Sequence, residues 1–184
     1  MKNNIIYLTG FMGSGKSTIG PILANTLGWD FYDLDQLIEQ SLGKKIVDIF
    51  NDEGEKYFRQ VEQETFKKLS SQDKVIIALG GGAMANQLNI DYFKKHGKII
   101  YLKISPEQAY ERLKFKRDRP VLIKDGIIDL AKPDFIQKLQ ELLRNRSHFY
   151  EQADLIIDVN NSAIGRTVDK IANLILNSKL FESI

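Results

Sequence analysis

Residues 10–18 read Gly-Phe-Met-Gly-Ser-Gly-Lys-Ser-Thr, two glycines separated by four residues and followed by a lysine and a hydroxyl. Phosphate oxygens need many donors in a small space. Glycines let the backbone fold close and aim its N–H groups inward. In this pattern Gly13, Ser14, Gly15, Lys16, Ser17 and Thr18 contact a nucleotide polyphosphate, as in ATP. Lys16 reaches the β- and γ-phosphates, and Ser17 is placed to ligate Mg²⁺. The alternative is a glycine-rich turn that fits the pattern by chance.

Further along, 30–33 reads as a strand leading into a helix that starts at Asp35, Leu37 and Ile38; residues two apart on an extended segment face the same way, so Asp33 and Asp35 can both point into one cleft. One carboxylate could hold the Mg²⁺ shell and the other accept a proton from a hydroxyl nucleophile; alternatively one of them caps the helix that follows. Arg59 and Glu62, three apart on a helix, can pair. On the surface that pair would contribute little; facing a cleft, Glu62 would orient Arg59 to grip an anion bidentately. Gly80, Gly81 and Gly82 leave a strand together, either as a flexible turn or to let a ligand approach the backbone.

A basic stretch, Lys116-Arg117-Asp118-Arg119-Pro120, opens a weakly patterned segment at 116–133 that reads as a mobile lid. It could be a solvated face or a nucleic-acid contact. A closing lid would instead bring Arg119 to the γ-phosphate and exclude water, as phosphoryl transfer requires. Arg146 falls inside the apolar stripe of a later helix, where it either reaches outward or is buried with an anionic partner. His96 and His148 show no partner pattern and read as structural or surface residues.

These groups need a frame, and the periodicity supplies one. Strands are expected at 5–8, 30–33, 75–79, 99–104 and 155–157, alternating with helical patterns. The first helix starts near Lys16, repeats Ile19, Ile22, Leu23 and Leu27 at helical spacing and stops at Gly28; Pro21 removes one of its hydrogen bonds and could bend it. Other helices are expected at 54–69, around Tyr92 and Phe93, from Ser105-Pro106 to about 115, over 134–153 and over 162–176, the last with Ile164, Val168, Ile171, Ala172 and Ile175 inward. The expected fold is therefore three-layer α/β/α: a parallel sheet of about five strands with helices on both faces, whose carboxyl edge binds ligands. The loop at 159–164 is the expected adenine neighbour.

With 184 residues, one domain spanning 1–184 is expected. A net charge of +2 with interspersed signs argues for neither nucleic acid nor a membrane as partner. The absence of cysteine excludes disulfides, thiol catalysis and cysteine-bound zinc. No signal or membrane-spanning run is found, so a cytoplasmic protein, acting as a monomer, is expected.

Taken together, the phosphate loop, Asp33-Leu34-Asp35, Phe58-Arg59 with Glu62, the triple glycine, Arg119-Pro120 and the late Arg146-x-x-x-Tyr150 resemble the shikimate kinases, in the nucleoside-monophosphate-kinase branch of phosphate-loop proteins. The resemblance runs nearly the whole chain. It implies ATP-dependent phosphorylation of the shikimate 3-hydroxyl. Asp35, Arg59, Gly81, Gly82 and Arg146 would bind shikimate, with Asp35 as base. Ser17 would ligate Mg²⁺ directly, Asp33 would act through its water, and Arg119 would cover the ATP phosphates. Val121 in place of a leucine after the lid's Arg-Pro, Pro21, and the lack of an arginine in the adenine-side loop depart from the family pattern. A gluconate kinase is the nearest rival; a nucleotide kinase is disfavoured because the sequence shows no feature dedicated to a second base, and a non-catalytic nucleotide switch would be expected to lose a catalytic group.

Overall fold

The computed structural model describes residues 4–115 and 130–177. Five strands, β1 (Ile5–Thr9), β2 (Asp30–Asp33), β3 (Val75–Ala78), β4 (Lys98–Lys103) and β5 (Leu155–Asp158), form one parallel sheet in the order β2-β3-β1-β4-β5. The central strands β1 and β3 are buried at every residue, which is why their sequences are unbroken apolar runs rather than alternating ones. Register aligns Leu8 and Asp33 with Ala78, so the residues following β1, β2 and β3 emerge at one sheet edge.

Eight helices surround the sheet among the described residues: α1 (Lys16–Leu27), α2 (Leu34–Leu42), α3 (Ile46–Asp52), α4 (Gly54–Leu69), α5 (Gln87–His96), α6 (Pro106–Leu113), α7 (Lys132–Tyr150) and α8 (Ile164–Asn177). α1 packs on α8, α6 on α7, and both α2 and α3 on α4. The three-layer α/β architecture is thus the expected one. Ser105 caps α6 by accepting from Gln108 N at 3.2 Å, with Pro106 in the first turn.

Several local expectations change. Ile164, placed inward, is 44% exposed, and Ile22, which fits the apolar spacing of α1, is 43% exposed. In α1 the inward face is instead Ile19, Gly20, Leu23 and Ala24, because the helix lies so close to β2 that a Cβ on Gly20 would overlap the Phe31 ring. In α8, Thr167 is buried with Val168, Ile171, Ala172 and Ile175. In α7, Phe135 is buried while Ile136 is only half-buried. Pro21 lies within α1 without ending it; both Pro21 and Ser17, whose carbonyl loses its helical donor, are exposed, so water can satisfy that carbonyl. α3 has no expected counterpart: it is seven residues long, buries only Ile49 and has no side-chain cap.

Candidate active site

The phosphate loop connects β1 to α1. Gly13 and Gly15 have φ of 79° and 99°, a region L side chains disfavour, and Gly15 is the residue from which α1 starts. The helical ladder begins with Thr18 and Ile19 donating to Gly15 O at 3.0 and 2.8 Å, so the N–H groups of the first turn lie before it and face whatever sits in the loop. Lys16 Nζ donates to Gly10 O at 2.7 Å, holding the side chain across the loop. Ser14 is turned beneath it: its N–H donates to Phe11 O at 3.1 Å, and its buried Oγ has no partner among the described residues.

A second strap was not foreseen in the sequence. Arg112, on the last turn of α6, donates to Gly13 O at 3.0 Å and to Val159 O at 2.9 Å, tying the phosphate loop to the start of the loop expected near adenine. Ser105 N also donates to Asn160 Oδ1 at 2.8 Å. The only local signal was that Arg112 is three residues past buried Ala109 and beside buried Leu113.

The two readings of Asp33 turn out to be compatible. Its Oδ1 caps α2 by accepting from Gln36 N at 3.3 Å, while its Oδ2 accepts from Ser17 Oγ at 2.8 Å. Two hard oxygen donors thus stand together beside the phosphate loop. That set fits Mg²⁺, which takes few protein ligands and completes its shell with phosphate and water. No group of three His, Cys, Asp or Glu side chains suited to a metal occurs among the described residues.

Asp35 is in the first turn of α2, at the helix start where the sequence placed it, so helical rather than extended geometry sets its direction relative to Asp33. Its carboxylate reaches Gly80 at the end of β3: a Cβ there would collide with Asp35 Oδ1 and lie 3.2 Å from Glu62 Oε1. Glu62, on α4, is 1% exposed and pairs with Arg59 Nη1 at 2.9 Å through Oε2, leaving Oε1 without a partner among the described residues. Burial pushes the Glu62 carboxyl above the ordinary range, against the pull of Arg59, and the nearby Asp35 adds to the rise. Burial alone would lower the Arg59 guanidinium, but Glu62 and then Glu55 outweigh it and hold the charge more firmly.

The triple glycine is a close-approach loop. The Arg59 guanidinium lies so near Gly82 that a Cβ would be 2.6 Å from Nη1. From α7, Arg146 Nη1 donates to Gly81 O at 3.0 Å and Tyr150 Oη donates to the same oxygen at 3.2 Å. Neither alternative for Arg146 holds unchanged: it is half-buried, and its partner is a backbone carbonyl rather than a carboxylate. Arg119 and Val121, with positions 116–129 of the expected lid, lie outside the described residues. His96 packs flat on Tyr92 at 4.0 Å and His148 lies against Phe149, both away from this cluster.

Asp35, Arg59, Glu62, Gly80–Gly82 and Arg146 therefore converge at the sheet edge that carries the phosphate loop. The arrangement offers two cations for an anionic substrate, a carboxylate for a hydroxyl and an adjoining nucleotide site. Among the described residues no helix is long and apolar enough to cross a membrane.

Comparison with known proteins agrees with this chemistry. The shikimate kinase family matches residues 12–176. The shikimate kinase of Chlorobaculum tepidum is 42% identical over 173 residues, covering 94% of this chain and 91% of that protein. The structure of Acinetobacter baumannii shikimate kinase in complex with shikimate has a TM-score of 0.84 at 36% identity, covering 97% of this chain and 96% of that one. A deoxyadenosine kinase from M. mycoides, at 19% identity and a TM-score of 0.56, covers 95% of this chain and all of that one, and shares the fold alone. With its motifs in place and a family match running from the phosphate loop into the last helix, this chain belongs to the shikimate kinase family, ATP-dependent phosphotransferases.

Proposed function

We propose that this chain transfers the γ-phosphoryl group of Mg²⁺-bound ATP to the 3-hydroxyl of shikimate, giving 3-phosphoshikimate and ADP. The observation that carries the reading is the convergence of Asp35, the Arg59–Glu62 pair and Arg146 on the triple glycine, beside the phosphate loop. A relative at 36% identity with shikimate bound supports the choice of acceptor.

In this reading Arg59 and Arg146 hold the substrate carboxylate, while Asp35 and the backbone of Gly81 and Gly82 take its hydroxyls. Asp35 accepts the hydroxyl proton as the new O–P bond forms and the bond from the γ-phosphorus to the bridging oxygen of ADP breaks. The backbone of Gly13 to Thr18 cradles the phosphates, and Lys16 exchanges Gly10 O for the β- and γ-phosphate oxygens. Ser17 and, through a water, Asp33 would hold Mg²⁺, which supplies positive charge to the β- and γ-phosphates. Arg119 is assigned to the same charge from its place in the sequence. We propose a monomer as the working unit and the cytoplasm, which supplies ATP, as its location.

The test is ADP release from Mg-ATP with shikimate and with gluconate supplied separately, with the phosphorylated product identified by ³¹P NMR. Shikimate-dependent release is expected, and Asp35→Asn should lower it roughly 100-fold or more while ATP binding survives. ATP binding without turnover of shikimate would sink the reading.

A further inference from the structure

The triple-glycine loop satisfies its carbonyls in two different ways. Gly80 O and Gly82 O accept from within the loop, from Ala83 N at 3.2 Å and Ala85 N at 3.0 Å. Gly81 O, between them, is turned out of the loop and among the described residues is met from α7 alone, by Arg146 and Tyr150. Across a trans peptide the carbonyl and the following N–H point in opposite directions, so anchoring Gly81 O toward α7 aims Gly82 N–H away from it. That N–H donates to no acceptor among the described residues.

The two donors on Gly81 O are not equivalent. Arg146 is half-buried, ends a long flexible side chain and is assigned to a substrate carboxylate, so it must divide its donors once that anion arrives. Tyr150 is 1% exposed, and its ring stacks on Tyr101 of β4 with centroids 5.0 Å apart and planes 20° from parallel. The Tyr150 hydroxyl is thus located by the sheet itself. Burial raises its pKa above the ordinary phenol, so it stays a donor at working pH.

We propose that Tyr150 is a positioning residue for substrate: its hydroxyl fixes the Gly81–Gly82 peptide so that Gly82 N–H faces the acceptor site while Arg146 turns to the substrate anion. The inference rests on the shikimate kinase reading above for the identity of that substrate, but not for the anchoring itself. Tyr150→Phe keeps the ring and its stacking and deletes only the donor.

Two measurements on the full chain decide it. In steady-state kinetics Tyr150→Phe should raise the shikimate KM roughly fivefold, with the ATP KM unchanged. In ¹⁵N relaxation of the ligand-free protein, the Gly82 amide should become more mobile, its order parameter falling below the rigid value of about 0.85. A lower thermal midpoint with an unchanged shikimate KM would mark a merely structural hydroxyl and overturn the proposal, as would an unchanged Gly82 order parameter. If the wild-type chain does not phosphorylate shikimate, the functional reading fails instead, and the relaxation measurement alone still decides the role of Tyr150.

Discussion

Asp35 and Glu62, carried on different helices, meet at Gly80, where a Cβ would strike Asp35 Oδ1 and lie 3.2 Å from Glu62 Oε1. Two carboxylates therefore share a space too small for a methyl group, beside the Arg59 guanidinium that pairs with Glu62. The glycine is needed for that contact, since any side chain would displace the proposed base.

Gly80→Ala should consequently reduce kcat at least tenfold, because the added methyl forces Asp35 or the first turn of α2 to move and small misplacements of reacting groups are costly. Nucleotide affinity, measured by calorimetry, should stay within about twofold of wild type, since the phosphate loop is built from a different connection. Full activity in this variant would show that Asp35 does not need its present position.

Glu62 gives a pH-dependent prediction. Burial raises its carboxyl above the ordinary value of 4.5, so the folded protein holds the proton more tightly than the unfolded chain. Its contribution to stability is fully present below the unfolded value and is lost as pH rises through the folded one. Glutamine carries no charge at any pH. The thermal midpoint of wild type relative to Glu62→Gln should therefore fall on going from about pH 4 toward neutrality. A difference that is flat, or that grows with pH, would contradict the direction of the shift.

Asp33→Asn separates the two tasks of that residue. Asparagine caps helices as well as aspartate does and can still accept from Ser17 Oγ, so the thermal midpoint should barely change. Losing the charge should raise the Mg²⁺ concentration needed for half-maximal turnover roughly 10- to 100-fold. Chelation of Mg²⁺ should abolish turnover in both proteins. An unchanged Mg²⁺ requirement would remove Asp33 from the metal site.

The strand positions and the order of the motifs were legible because they depend on local pattern. Continuous apolar runs mark β1 and β3, the glycine and lysine spacing marks the phosphate loop, and Ser105-Pro106 marks a helix start. What escaped depended on contacts between distant segments. Arg112 looks like any helical arginine until α6 is laid beside Gly13 and Val159. The single acceptor shared by Arg146 and Tyr150 is a backbone oxygen, and no residue type announces it. Ile22 illustrates the opposite error: its spacing put it on the apolar stripe, but the close approach of α1 to β2 favours Gly20 and Ala24 on that face.

That close approach yields the last prediction. On propensity alone Gly20→Ala should stabilise α1 by about 0.5–1 kcal/mol. A Cβ at this position would instead overlap Phe31 Cε2 and lie 3.0 Å from both Cδ2 and Cζ, and overpacking of this kind costs about 1–3 kcal/mol. The net expectation is destabilisation of about 1–2 kcal/mol, read as a lower urea midpoint with an unchanged slope. Phe31 belongs to β2, two residues before Asp33, so relief of the overlap by shifting the strand would also raise the Mg²⁺ concentration needed for half-maximal turnover. Phe31→Leu removes ring atoms that cause the overlap, so the double variant should recover part of the loss and the two substitutions should not be additive. A Gly20→Ala protein as stable as wild type would mean that α1 can stand off from β2 without cost, and that the glycine is not there for packing.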